Sequence, residues 1–447
     1  MAALVLEAGL CLLIVLAPLP FGAVGPSGRL ALETGAFLLT LIWTWEAVRE
    51  RVALPPRAVL AGVFGLLALA AVQIVPLGAG VIAAIAPWIA TLRAAVDDPR
   101  HLSPTLSIAP DATASALRTG AALAGILLVA TTVAAKRGSS RLAGAMLVSA
   151  AFQGLYGLIV LASGSARIWN VPKVAYLDSA TGTFVNRNHF AGFLAATLPV
   201  GFGLIVASLA RVRAGSGSRR RFALAGNEGS AALLLGLLAL IGLSGLMLSY
   251  SRAGIAVAVA AVGATLAVTS GGPALRRAAL VAAIFAVAAI PLADVGIERL
   301  WGRYADASGD VAVQGGRLDV WRDTVGLIGH VPLLGCGLGA FTWAFPAVSS
   351  PGIRLHYTHA HDDLLQLAAE GGAVAVVLLL LITVPLVRRG ARVLAERRDP
   401  VAVGAVAGLA AIGLHALVDF DFHIPADAAL AAVLAGIVLG ATWTDPS

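Results

Sequence analysis

An all-α polytopic membrane protein, with about twelve transmembrane helices and a helical external cap supplied by the long loop before the tenth, is the fold this sequence predicts. Three observations predict it. The chain of 447 residues is 59% hydrophobic, with a mean hydropathy of +0.90, far above soluble globular chains, so it needs lipid as its solvent. Its charged residues, 12% of the total, come in short clusters. Between them lie apolar runs of about 18 residues or more, the length that roughly 30 Å of hydrocarbon demands.

The apolar segments fall near residues 3–22, 30–48, 58–76, 115–135, 142–162, 190–210, 231–249, 253–270, 278–296, 372–387, 401–418 and 426–443. The first lacks a basic leader and a small-residue cleavage site, so it is expected to be a retained helix. With a cytoplasmic N-terminus, the inside loops hold Arg49, Arg51 and Arg57; Lys136, Arg137 and Arg141; Arg211, Arg213 and Arg219 to Arg221; Arg276 and Arg277; and Arg388 to Arg398. Every short basic loop then lies on one side, as the positive-inside rule requires, with the C-terminus cytoplasmic as well. The net charge of +7 reports this orientation and not a nucleic-acid partner. Glu7, Glu33 and Asp294 are acidic residues in or near spans and form no evident pathway. Cys11 and Cys336 offer neither a disulfide framework nor metal-ligand spacing and are expected to be structural.

Three units follow: residues 1–296 with helices one to nine and external loops at 77–114 and 163–189, residues 297–371 as the cap, and residues 372–447 with the last three helices. Pro87 and Trp88 interrupt the stretch from Pro76 to Leu92, which is expected to lie at the interface. Residues 211–230 have the composition of a cytoplasmic linker.

External arginines run against the positive-inside bias, so each asks for a reason. Arg187 sits in Asn186-Arg187-Asn188-His189, Arg252 in Ser249-Tyr250-Ser251-Arg252, and Arg317 after Gly315-Gly316. Any one of them could snorkel to headgroups. Three at one face favour an anion site, because guanidinium groups bind phosphate bidentately, and a lipid diphosphate is the natural anion there. The densest polar cluster is His359-Ala360-His361-Asp362-Asp363. It is open to a metal-ligand reading and to a general-base reading, in which an imidazole takes a proton from a sugar hydroxyl. Asp419, Asp421 and His423 near the last external turn form the other polar group, expected to be a helix break with satisfied polar atoms.

Taken in order, Thr183 to Gly192, Ser249 to Gly254, Gly316-Arg317 with Trp321, and His361 followed by Gly372 resemble the O-antigen ligase family, which also contains O-antigen polymerases and some protein O-oligosaccharyltransferases. The resemblance covers most of the chain. It implies an inverting, metal-independent and cofactor-free glycosyltransferase of the bacterial inner membrane, with its active site and cap periplasmic. The donor would be an undecaprenyl-diphosphate-linked glycan, and the acceptor a glycan or glycolipid such as lipid A-core. By the same resemblance Arg187, Arg252 and Arg317 hold the diphosphate and His361 activates the acceptor hydroxyl; Asn186, Asn188, His359 and Asp362, their neighbours in the chain, are expected to support them. The chain departs from the family pattern at Asp362, where Asn or Ser is usual, and at Ala375, where Gly, Thr or Tyr is usual. It stops soon after the last helix, without the extra domain of some relatives, which points away from a protein acceptor. Alternatives are a polysaccharide polymerase of the same superfamily, a secondary transporter of the inorganic-carbon type, which would place its site near the midplane, and a scaffolding subunit, which would leave the arginines without a role.

Overall fold

The computed structural model describes residues 2–96, 104–215, 227–270, 273–290, 316–353 and 355–441. The architecture is all-α apart from one small hairpin, Arg167–Ile168 paired antiparallel with Val171–Pro172. Its helices are α1 (Ala2–Leu16), α2 (Pro26–Arg49), α3 (Arg57–Gln73), α4 (Ala79–Ile85), α5 (Pro87–Val96), α6 (Pro110–Arg137), α7 (Ser140–Ala162), α8 (Arg187–Gly215), α9 (Asn227–Leu248), α10 (Arg252–Thr269), α11 (Ala274–Ala288), α12 (Arg317–His330), α13 (Phe341–Ala344), α14 (Asp363–Glu396), α15 (Pro400–His415) and α16 (Pro425–Ala441).

A helix lies on each of the twelve apolar segments. Six of them, α6 to α10 and α14, are long and apolar enough to cross a membrane. The apolar helices α1, α3, α15 and α16 are shorter, and the reason is local. α1 stops at Leu16 because Pro18 and Pro20 cannot continue it, and the chain turns instead through a short 3-10 segment at Phe21–Ala23. α15 stops at His415, before the polar turn at 416–424. Residues 291–315, which include Asp294 and the start of the expected cap, lie outside the described residues.

Ion pairs fix which helix ends share a face. Glu7, buried in α1, takes Arg137 at 2.5 Å and Arg141 at 2.7 Å, and Lys136 reaches Glu46 at 3.2 Å at the end of α2. The start of α1, the end of α2 and the α6–α7 junction therefore meet at one end of the bundle. Helix alternation carries Arg57, Arg211, Arg276, Arg277 and Arg388 to Arg398 to that same end. The starts of α8, α10, α14 and α16 and the end of α15 lie at the other.

That other end is covered by a cap with its own apolar core, built from two stretches far apart in sequence. Ile82, Ile89 and Leu106 from the first pack with Val320, Leu327, Phe341 and Phe345 from the second. Gln73, the last residue of α3, ties cap to bundle. Its side-chain nitrogen donates to the carbonyls of Leu334 (2.7 Å) and Glu370 (2.9 Å), and its oxygen accepts from the Leu338 N–H (2.9 Å).

Two close approaches place the site. Gly404 and Gly408, four apart on α15, let that helix lie on the backbone of α8, the small-residue packing of membrane bundles; a methyl group at Gly408 would collide with the Ala196 carbonyl. α14, at 34 residues, would be about 51 Å long if straight, more than a bilayer needs. It breaks at Gly372, whose φ of +62° only glycine adopts readily. The backbone donors freed beyond the break go to the cap: Ala373 N–H to the Pro332 carbonyl (2.8 Å) and Val374 N–H to that of Leu333 (3.2 Å).

Candidate functional site

The turn between α15 and α16 is the centre of the site, and Asp419 is its hub. The carboxylate is buried and accepts from Asn188 Nδ2 at 2.9 Å. Around it stand His189 Nε2 at 3.4 Å, His361 Nδ1 at 3.6 Å and Arg317 Nη2 at 3.5 Å. Arg317 Nη1 also donates to the Val418 carbonyl at 2.7 Å. Burial pushes the Asp419 carboxyl up, but the facing His189 and His361 rings prevail and hold it well below the usual carboxylate range. Asp419 is therefore a fixed negative charge between two imidazoles and a guanidinium. The next residue, Phe420, packs edge-on against His189 (4.4 Å) and His361 (4.9 Å) and face-on against His359 (4.1 Å).

His361 occupies a strained position. Its φ is +55°, which costs of order 1–3 kcal/mol and persists only where the surroundings enforce it. The enforcement is visible on both sides of Ala360: its N–H donates to Gln366 Oε1 at 3.0 Å, and its carbonyl accepts from Trp321 Nε1 at 3.0 Å. Asp362 caps α14, accepting from the Leu364 and Leu365 N–H groups at 2.9 Å each. Aspartate, asparagine and serine are interchangeable caps, so the departure from the family pattern at this position is neutral for the local structure. Asp362 thus supports the site through the backbone.

Beneath His361 lies a second imidazole centre. His423 Nδ1 is 2.5 Å from Asp363, and its Nε2 is 4.0 Å from Glu370. Glu370 in turn accepts from the Gly339 N–H at 2.7 Å and the Phe341 N–H at 3.1 Å, which ties the cap loop to α14. Burial would lower the His423 pKa, but Asp363 and Glu370 push it up to about 10. Burial, followed by the His423 charge, pushes His359 down to about 3, so His359 is a neutral ring beside a cation. Because the unfolded value for His423 is near 6.5, its ion pair stabilises the fold fully below about pH 6.5. That contribution fades as pH rises and is gone above about 10. The melting temperature of the wild type is expected to exceed that of His423→Gln by a margin that shrinks across this window; a margin constant with pH would contradict the pairing.

The three arginines share a placement: Arg187, Arg252 and Arg317 are the first residues of α8, α10 and α12. A helix start carries free N–H groups and partial positive charge, where an arginine is electrostatically out of place unless an anion joins it. Arg187 is buried, donates to Ser179 Oγ at 3.3 Å and lies 5.0 Å over the Tyr176 ring. Asn186 caps α8: its Oδ1 accepts from the Asn188 N–H at 2.8 Å, and its carbonyl accepts from the Phe190 N–H at 3.2 Å. This turn aims Arg187 and Asn188 from adjacent positions. Arg252 follows the left-handed Tyr250 (φ +53°) and the cap Ser251. It is held near the start of α8, because Gly254 leaves room only for Ala191 and the Ala180 N–H donates to the Leu248 carbonyl at 2.8 Å.

The structure thus brings His361, Arg317, Asn188 and His359 to the 419–420 turn. Arg187 and Arg252 begin α8 and α10, whose starts pack together, while Asn186 and Asp362 act as helix caps. Sequence reasoning missed Asp419, His189, Gln366 and Phe420. The 419–423 turn stands out as a polar string and reads as a helix break with satisfied polar groups, a reading that carries no role in the site. In the structure Asp419 faces residues from three other elements, while Asp421 pairs locally with His415 at 2.6 Å. Among the described residues, no group of three or more His, Cys, Asp or Glu side chains is arranged to hold a metal ion.

Residues 237–380, from within α9 to within α14, match the family model described as O-antigen ligase. The matched region contains Arg252, Arg317 and His361, and the match supports a membrane glycosyltransferase of the O-antigen ligase and polymerase type. No curated protein matches the chain.

Proposed function

We propose, on the premise of the O-antigen ligase assignment that residues 237–380 support, that the chain transfers a glycan from an undecaprenyl-diphosphate carrier to an acceptor hydroxyl, with inversion, on the periplasmic side. The observation that carries this reading is the convergence on buried Asp419 of His361 and Arg317, next to two further arginines at helix starts. The collection of basic residues at the opposite end of the bundle supports an external site.

The chemistry needs two things. The leaving diphosphate gains charge as the bond from the sugar's anomeric carbon to oxygen breaks, and Arg187, Arg252 and Arg317 neutralise it with fixed donors that need no reorganisation. The attacking hydroxyl must lose a proton, which His361 takes on Nε2 while Asp419 faces Nδ1 and stabilises the imidazolium that forms. One in-line displacement with both substrates held gives inversion. Lipid A-core suits the acceptor role in a ligase and a growing glycan that in a polymerase; the donor machinery is common to both.

The test is the lipid-linked and electrophoretic glycan profile of a deletion strain complemented with wild type or variants. Accumulated carrier-linked glycan supports transfer, with intact long polymer pointing to a ligase and single repeats to a polymerase. An unchanged profile overturns the reading. Arg187→Ala is expected to slow transfer about ten- to hundredfold, the scale of a lost charge-assisted hydrogen bond. Arg187→Lys should recover only part of that, since a lysine keeps the charge without the planar fork. A wild-type initial rate in Arg187→Ala would remove this residue from the donor site.

A further inference from the structure

The loop between α7 and α8 carries a feature that the proposed chemistry does not use. Its hairpin folds back along α7 instead of rising away from it. The Trp169 N–H donates to the Tyr156 hydroxyl at 2.7 Å, and the Trp169 ring lies 4.7 Å from that of Tyr156 and 6.3 Å from that of Phe152. Tyr156 and Phe152 lie six and ten residues before the end of α7 at Ala162, so the hairpin tip stands about 9–15 Å below that end.

From the tip onward the loop presents an apolar surface, broken by the exposed Asn170: Val174 is 91% exposed, and Trp169, Val171 and Leu177 are exposed with it. Trp169 continues a face of α7 on which Phe152, Leu155 and Ile159 are also exposed. In water such a surface would be a liability; at the edge of a bilayer it is the expected composition, with tryptophan at the interface. From residue 166 to residue 173 the backbone is prepared for lipid, where an unpaired donor is costly. The strands pair, Pro172 brings no donor, Lys173 N–H donates to the Ala166 carbonyl at 2.7 Å, and the Trp169 N–H is taken by Tyr156. Trp169 holds a φ of +51°, a conformation unusual for so large a residue, and its indole is pinned by donation to the Leu19 carbonyl at 3.0 Å. Arg167, exposed on the first strand, donates to the Asn170 carbonyl at the hairpin tip and presents its charge at the loop surface.

We propose that residues 163–178 form a lipid-seated hairpin whose partner is the phospholipid of the leaflet on the site face, with acyl chains against Trp169, Val171, Val174 and Leu177 and headgroups at Arg167. The hairpin runs directly into Tyr176 and Ser179, which contact Arg187, so it sets the height of that arginine relative to the bilayer surface. The proposal rests on the membrane embedding of the bundle and not on its catalytic chemistry.

The experiment uses the full chain in nanodiscs of phosphatidylethanolamine and phosphatidylglycerol, with Val174→Cys carrying an environment-sensitive nitrobenzoxadiazole label. Leu155→Cys on the α7 face and Arg322→Cys on the cap serve as comparison sites, and wild type labelled in parallel subtracts any signal from Cys11 and Cys336. Quenching at Val174 is expected to be several-fold stronger with doxyl-labelled lipid than with aqueous iodide, as at Leu155 and opposite to Arg322. Iodide quenching at Val174 with lipid quenching at Leu155 overturns the hairpin's seat alone. Iodide quenching at both overturns the embedding of this face and the proposal with it.

Discussion

Asp419→Asn is expected to lower turnover about a hundredfold or more while the protein still folds, the scale of a mispositioned general base. The amide keeps the size of the carboxylate but removes the charge that faces His361 and His189, and it turns a donor toward one of the rings. It also leaves Arg317 without its carboxylate partner, so folding must be checked separately by melting temperature. Asp419→Glu, which restores the charge at a displaced position, should recover part of the activity. Wild-type turnover in the asparagine variant would reduce Asp419 to a structural anchor for the turn.

The second large effect is at His361 itself. His361→Ala is expected to lose about a hundredfold or more in turnover, the scale of a removed general base. The two residues act as one unit, so the double variant should be little worse than the worse single variant, as coupled catalytic groups behave. Single-turnover transfer with purified protein and carrier-linked donor measures all three. Near-normal turnover in His361→Ala, or losses that multiply fully in the double variant, would break the proposed pairing.

The bundle was legible in the sequence because each apolar run needs only its own length and its flanking charges to be recognised. Its helix ends were less so: the run at 3–22 passes through Pro18 and Pro20, where hydropathy continues but hydrogen bonding cannot. The arginines and His361 stood out because charge at an external face is unusual. Asp419 did not, for a physical reason. Its partners Asn188 and Arg317 lie 231 and 102 residues away in sequence, and it is the glycine-mediated packing of α15 on α8 that makes Asn188 its neighbour. The cap was expected from the long loop alone, whereas its core takes Ile82 and Ile89 from a segment expected to lie flat on the membrane; short amphipathic helices look the same whether their apolar face meets lipid or protein.

The ties between cap and bundle bear on how the protein unfolds. Gln73 at the end of α3 and the freed donors beyond Gly372 spend their hydrogen bonds on residues 332–338, and Glu370 spends its own on residues 339 and 341. Neither side can open without leaving buried polar groups of the other unpaired, each at a cost of about 1–3 kcal/mol. Cap and bundle consequently form one cooperative unit. An excised cap would be a fragment missing its floor, and heat or denaturant should release the outer layer and the helices beneath it together.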